Sequence, residues 1–413
     1  MNREMKHSGI AWAELIPSHW NVERGKHVLT LMQRQVREDD EIITCFRDGE
    51  VILRKLRRED GFTMSDKEIG YQGINVGDIV IHGMDGFAGA IGVSKSQGKG
   101  TPVYVVCTTK DNSNNSYIVY YLRTLAQNNV FLALATGIRE RSCDLKWNKI
   151  SVLPFLLPPI SEQKAIADFL DKKCGEIDEL VALQEKIIEE LKSYKQSVIT
   201  ETVCKGLNPN APMKDSGVDW IGKIPNQWVA CKLKHVYTLL NGRAYSDSEL
   251  LTDGKYKILR VGNLFTSDKW YYSDLELEDN KYCQNGDLLY GWSASIGPYL
   301  WNQEKVIYHY HIWKVLFTNN RKFAFYQLHA LTEAKRRDMH GSAMQHLTMV
   351  GMNNSFLAMP PLAEQEEIAD YLDKKCSEID QLISIKQQKI VELNDYKKSL
   401  IYEYTTGKKE VKL

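Results

Sequence analysis

Several protein classes are excluded by what this sequence lacks. No apolar run approaches the ~20 residues that a helix needs to span a bilayer, and the opening segment MNREMKHSGIAW has no apolar core of the kind a signal peptide carries. The eight cysteines form no CxxC pair, and their spacing suits neither a zinc site nor a disulfide framework. Reduced thiols in a cytoplasm are the expectation. Phosphate and dinucleotide loops are missing too. SQGKGT at 96–101 has Gly100 where a phosphate loop needs Ser or Thr, and GFAGAIG at 86–92 has the wrong glycine spacing for a dinucleotide fingerprint. His309 and His311 share one face of an expected strand, but no Cys, Asp or Glu at ligand spacing joins them, so no metal is expected. Asn208-Pro209-Asn210 lacks the second proline and the aromatic residue of an amino-methyltransferase motif. The chain thus offers no catalytic constellation.

Charge of either sign is also not in surplus. Lys and Arg total 53 and so do Asp and Glu, which by itself argues against phosphate contact over the whole surface. Block by block, the balance is orderly. Residues 1–156 carry 20 basic against 18 acidic side chains, and residues 211–356 carry 17 against 14. Residues 157–210 carry 7 against 10, and residues 357–413 carry 9 against 11. Slightly basic blocks therefore alternate with slightly acidic ones. A length of 413 residues is too great for one ordinary core and suits two domains with connecting structure.

An internal repeat organises the chain. IADFLDKKCGEID at 166–178 and IADYLDKKCSEID at 368–380 agree at eleven of thirteen positions, at an offset of 202. PPISEQ at 158–163 answers PPLAEQ at 360–365, and the likeness continues through Leu191/Leu393, Tyr194/Tyr396, Lys195/Lys397 and Ser197/Ser399. A second pair opens each half. Ser8, Gly9, Trp12, Ile16, Pro17 and Trp20 are matched by Ser216, Gly217, Trp220, Ile224, Pro225 and Trp228. Between these anchors the halves diverge, apart from echoes such as Gly77-Asp78 against Gly286-Asp287 and Leu53-Arg54 against Leu259-Arg260. One framework kept alike and two cargo blocks allowed to differ imply two distinct specificities.

The shared blocks read as long helices. From Ser161 to about Cys204 there is no proline and one glycine, with Ser161 as the expected N-cap, Glu162 in the first turn, and Lys205-Gly206 as the stop. Ile177, Val181, Ile188, Leu191 and Val198 form a coiled-coil seam, repeated by Ile379, Ile383, Ile390, Leu393 and Leu400. Each helix would run ~40 residues, or roughly 60 Å. A single stripe of that length needs a partner, and the alternation of helix and globular block favours an antiparallel pair. The polar seam positions Gln184/Lys386 and Lys195/Lys397 are suited to fixing its register.

Both variable blocks read as mixed α/β. PVYVVC (102–107), DLLYGW (287–292) and VIYHYHIWKV (306–315) look like strands, and helical patterns appear near 117–134 and 321–338. Trp270, Tyr271, Tyr272, Trp292, Trp301 and Trp313 are mostly expected in the core or on a sheet, with a minority available to bases. Arginine suits bidentate contact with guanine, and Asn or Gln with adenine. Candidate DNA-binding clusters are Arg54, Arg57 and Arg58; Arg139 and Arg141; Arg243, Arg260 and Asn263; and Arg336 and Arg337 followed by His340, Ser342 and Gln345.

Taken together, the twin PPISEQKAIADFLDKKCGEID segments, the SGxxW…IPxxW openers, the GDI/GDL strands and the GSAMQ run at 341–345 resemble the specificity subunit of type I restriction-modification systems over essentially the whole length. The resemblance implies an α+β chain with a pseudo-twofold internal repeat. Two target recognition domains, 1–156 and 211–356, would alternate with two long helices, 157–210 and 357–413, that pair as an antiparallel coiled coil. It implies double-stranded DNA with a split target as ligand, two modification (methyltransferase) subunits and restriction motor-nuclease subunits as partners, and no cofactor of the chain's own. The first block reads GIRERSCD at 137–144 where the second has GSAMQ. A stand-alone DNA methyltransferase and a protein-binding scaffold without a DNA role are the alternatives.

Overall fold

The computed structural model describes residues 3–57, 69–133, 144–338 and 346–411. The chain folds as two compact units, Met1–Glu185 with Gln388–Leu413, and Lys186–Gln387. Four longer helices dominate: α1 (Asn115–Gln127), α2 (Ile160–Lys205), α3 (Arg321–Asp338) and α4 (Leu362–Thr405). Helices α2 and α4, at 46 and 44 residues, each contribute one segment to either unit.

Within each unit the two long helices run antiparallel. In the first, Phe169 of α2 packs against Tyr404 of α4, while Asp178 further along α2 meets Lys397 earlier in α4. In the second, Lys195 of α2 meets Asp380 of α4, and Ile199 and Val203 share a core with Ile368, Leu372 and Cys376. The start of α2 corrects one expectation. The helix begins at Ile160, so Ser161 is not the N-cap but an exposed first-turn residue. Pro158-Pro159 supply the start instead, because a proline's missing N–H is no loss where the first donors have no partner. Gln163 closes the first turn by donating its backbone N–H to Pro159 O at 2.9 Å. The stop is as expected: Gly206 takes φ +73°, a left-handed conformation suited to glycine.

A four-stranded antiparallel sheet forms each unit's centre, with the same topology in both. In the first the order is Leu29–Leu31, Tyr104–Thr109, Ile79–His82, Ile91–Val93. In the second it is Tyr237–Asn241, Ile312–Phe317, Leu288–Gly291, Gly297–Leu300. Helix α3 lies between this sheet and the long helices. Its Ala324, Leu328 and Leu331 join the sheet core, and its Phe323, Tyr326 and Ala330 join the core made by α2 and α4. Helix α1 does the same in the first unit, where sheet, α1 and both long helices share one core.

The runs expected as strands are partly revised. The first begins at Tyr104 rather than Pro102, which has no N–H for the ladder. VIYHYHIWKV is not one strand. Val306–Tyr308 runs parallel to Tyr256–Leu259 in a second sheet, and Ile312–Phe317 belongs to the central one. Between them His309–His311 make a turn, closed by the N–H of Ile312 donating to His309 O at 3.0 Å. Sequence alternation alone does not reveal a strand that changes sheets. The helical pattern near 117–134 is likewise cut after Gln127, where Asn129 adopts φ +58° before a short turn at Val130–Ala133.

Candidate nucleic-acid interface

Both variable blocks hang on the long helices by matching polar contacts. Each opener forms a small hairpin, Met5–His7 with Leu15–Pro17 and Met213–Asp215 with Lys223–Pro225. Each then delivers a fully buried tryptophan to the start of a long helix. Trp20 Nε1 donates to Glu162 at 3.1 Å and Trp228 Nε1 to Glu364 at 2.7 Å. The glutamine that follows accepts the backbone N–H of Asn114 (3.0 Å) or Asn320 (3.2 Å), the residues whose side chains accept from Tyr117 N–H in α1 and Phe323 N–H in α3. Tyr120 of α1 donates to Asp171 at 2.7 Å, and Tyr326 of α3 to Asp373 at 2.8 Å. Burial opposes ionisation of Glu162, but donors from His19, Arg3 and Trp20 outweigh it and hold its pKa below the usual range. The shared SEQ and AEQ triplets were visible in the sequence. The Tyr120/Tyr326 match was not, because the offset there shifts to 206.

None of the ten seam residues is exposed. Ile177, Ile188, Ile379 and Leu400 are buried, and Val181, Leu191, Val198, Ile383, Ile390 and Leu393 are half-buried. Burial on these helices extends further than the expected set, through Ile166, Leu170 and Cys174 in the first unit and their repeat equivalents Ile368, Leu372 and Cys376 in the second. Lys195 and Lys397 bridge to the opposing helix, each at 2.6 Å from the carboxylate of Asp380 or Asp178.

The candidate DNA contacts divide into three groups. Arg58, Arg139, Arg141, His340, Ser342 and Gln345 lie outside the described residues. Several others are engaged within their own domain. Arg54 Nε donates to Thr44 at 3.1 Å; Arg57 pairs with Asp48 (2.6 Å) and Glu50 (3.2 Å) and lies over Phe46; Arg336 pairs with Glu333 and donates to Ile296 O at 2.6 Å. The Asn263 amide closes its own short helix, accepting from Arg260 N–H at 3.0 Å and donating to Lys269 O at 2.8 Å. Arg243 pairs with Glu249 at 2.6 Å, a contact that pulls the Glu249 carboxyl down to about 2. Arg260 and Arg337 are exposed.

The structure brings Arg243 and Arg260 together, which their sequence separation did not show. Arg243 N–H donates to Tyr308 O and Tyr310 N–H to Arg243 O, while His309 N–H donates to Leu259 O beside Arg260. Two basic side chains thus flank the His309–His311 turn. Trp292 closes the same edge. Its Nε1 donates to Tyr310 O at 2.8 Å, its ring stacks on Trp313, and its edge meets His311 and His346. Arg336 is tied through Ile296 O to the hairpin that carries Trp292. Of the six aromatics considered, Trp301 and Trp313 are core residues; Trp270, Tyr271, Tyr272 and Trp292 are half-buried.

This arrangement has known counterparts. The family model described as type I restriction modification DNA specificity domain matches residues 225–395. A specificity subunit of a type I restriction enzyme (MjaVIII) from Methanocaldococcus jannaschii is 28% identical over 277 residues, 62% of each chain. The chain is thus similar, over part of its length, to type I restriction-modification specificity subunits. It spans about three-fifths of the length of that curated relative. Among solved structures, one reported for complex assembly and conformational transition of the type I R-M system covers 94% of this chain and 98% of its own, at TM-score 0.73 and 15% identity. The HsdS subunit from Thermoanaerobacter tengcongensis covers 95% and 98%, at TM-score 0.52 and 16% identity. At those identities the two structures speak for the α+β fold with paired long helices.

The chain has two comparable edges, one per unit, set by one backbone scheme. In the second unit Trp292 N–H donates to His311 O, and Leu347 N–H to Trp292 O. In the first, Gly83 N–H donates to Val103 O and Leu145 N–H to Gly83 O. The glycines that precede the neighbouring strands also match, Gly77 at φ +91° and Gly286 at φ +95°, each followed by an aspartate that accepts a turn N–H and a basic side chain. What differs is the side chains displayed.

Proposed function

We propose that this chain reads a split DNA sequence, one half through each unit, and that it docks modification and restriction subunits on its long helices. As a type I specificity subunit the chain would be a non-catalytic component. The observation that carries the reading is the contrast just drawn. Matching polar clamps and the same sheet topology hold two edges whose side chains differ, which is what two half-site preferences on one framework require. Arg243, Arg260 and Arg337, with Arg58, Arg139, Arg141, His340, Ser342 and Gln345, remain its candidate contacts. The blocks 1–156 and 211–356 would serve as target recognition domains, and 157–210 with 357–413 as the spacer.

Docking has its own support. Leu180, Leu183 and Tyr194 of α2 and Leu382, Ile385 and Tyr396 of α4 are exposed at repeat-equivalent positions. Exposed apolar side chains repeated at equivalent positions of two helices mark an interaction surface better than isolated ones do. Two modification subunits, one per repeat, fit that symmetry. No helix among the described residues is long and apolar enough to cross a membrane, and with DNA as ligand the complex would act in the cytoplasm.

The decisive experiment maps methylated adenines on genomic DNA after expression of the chain with its modification partner. Two short motifs at fixed spacing, ~34 Å or one helical turn apart, are expected. A single continuous motif, or no preference, would overturn the reading.

A further inference from the structure

His309 and His311 play no part in the clamps, and the fold gathers a set of rings around them between Arg243 and Arg260. Tyr310 at the tip of the turn is 38% exposed, and His309, His311 and Trp292 stay half-buried beside it. Ring centroids lie 4.9 Å apart for His309 and His311, 4.0 Å for Tyr310 and His311, and 4.9 Å for Trp292 and His311. His346 joins through Ser293, whose hydroxyl lies 2.8 Å from its Nδ1. His309 stacks on Tyr245.

The imidazoles are set up as neutral hydrogen-bonding groups. The N–H of His311 donates to Nδ1 of His309 at 3.4 Å, which places the proton of the neutral ring on Nε2. Burial, the neighbouring His311 and the Arg260 guanidinium hold His309 down at about 4, and burial with His346 and Arg260 lowers His311. Fixed positive charge at this edge comes instead from Arg260, exposed at its rim, and from Arg243, which Glu249 balances. In the first unit the same backbone positions carry Gly83 and Val103, so among the described residues Trp292 and His311 have no ring counterparts there.

We propose that the ring edge of Trp292, His309, Tyr310, His311 and His346 is the base-contacting surface of the second unit, and that it reads a purine of its half-site. It rests on the DNA-reading function proposed above. Phosphate contacts position a protein on DNA and base-edge contacts specify the sequence. Here Arg260 supplies the first and the rings supply the second. An Nε2–H donor matches the N7 and O6 acceptors that purines present in the major groove. The exposed Tyr310 ring at the tip gives the edge its reach.

The test is selection from a DNA library with both half-sites randomised, using the full chain bound to its modification partner. Tyr310→Ala and His311→Gln are each expected to lower discrimination roughly 5- to 100-fold at one or two adjacent positions of one half-site, leaving the other half-site intact. Arg260→Ala is expected to weaken every sequence alike. Melting of each variant separates contact from folding, and His311→Gln keeps a hydrogen-bonding side chain should Tyr310→Ala melt early. Unchanged preferences in both ring variants, or a uniform loss across all sequences in a folded variant, overturn the assignment. Absence of any preference in the unaltered complex overturns the DNA-reading function and this edge with it.

Discussion

Reversing the charges of one cross-helix pair tests how the long helices are kept in register. Lys397 reaches Asp178 at 2.6 Å, with the lysine side chain 19% exposed and the aspartate 59% exposed. A pair so open to water contributes about 0.5–1 kcal/mol. Replacing Asp178 by Lys removes that and sets two like charges together, so the single reversal should cost about 1–2 kcal/mol. The double reversal, Asp178→Lys with Lys397→Asp, should recover most of it. Packing at the seam is worth more: Leu400 is 4% exposed, and Leu400→Ala should cost about 2–5 kcal/mol. The apolar seam therefore holds the helices together, while the ion pairs select one alignment among those a heptad pattern permits. Hydrogen exchange over residues 170–181 and 393–404 reads this locally, without requiring the whole chain to unfold in one step. Each single reversal should lower the opening free energy by about 1–2 kcal/mol and the double reversal restore it to within about 0.5. Neutral single reversals, or a double reversal as weak as the worse single, would refute the reasoning.

Other expectations follow from the same contacts. Glu162→Gln should destabilise by about 2 kcal/mol and Glu364→Gln by about 1, because Glu162 accepts from Arg3, His19 and Trp20 whereas Glu364 accepts from Trp228; equal melting shifts would count against this. The His309 ring, faced by Arg260, His311, Tyr245 and Arg243, should make stability pH-dependent. The unfolded chain takes up a proton as pH falls through about 6.5 and the folded ring only near about 4, so stability is whole above 6.5 and is lost between those values. After allowance for solvent screening the loss is about 1–2 kcal/mol, and His309→Gln should flatten the melting profile over that range. Arg260→Ala should reduce the slope of log affinity against log salt by about 1; an unchanged slope would mean that Arg260 touches no phosphate.

The long helices were legible in the sequence because their signals are local and repeated. A run of 46 helical residues with one glycine needs nothing distant to declare itself, and none of the ten positions picked out by spacing is exposed. The central strands at 104–109 and 288–291 were nearly as plain. The His309–His311 segment was misread because a strand that leaves one sheet and enters another keeps its alternation while changing neighbours. The internal hydrogen bonds of Asn263 and Arg336 were not legible, because an amide or a guanidinium looks the same in sequence whatever it meets in the fold.

The sequence by itself determined the duplication, the need of a long amphipathic stripe for a packing partner, and the division into kept and divergent blocks. These follow from periodicity and from identity at fixed offsets, which are properties of the chain. Only the tertiary structure decided which polar residues clamp the domains to the helices, and which rings meet at the second unit's edge. Trp20 and Glu162 stand 142 residues apart, and Trp292 and His346 54. Such meetings depend on sheet order and turn geometry, and no local propensity encodes them.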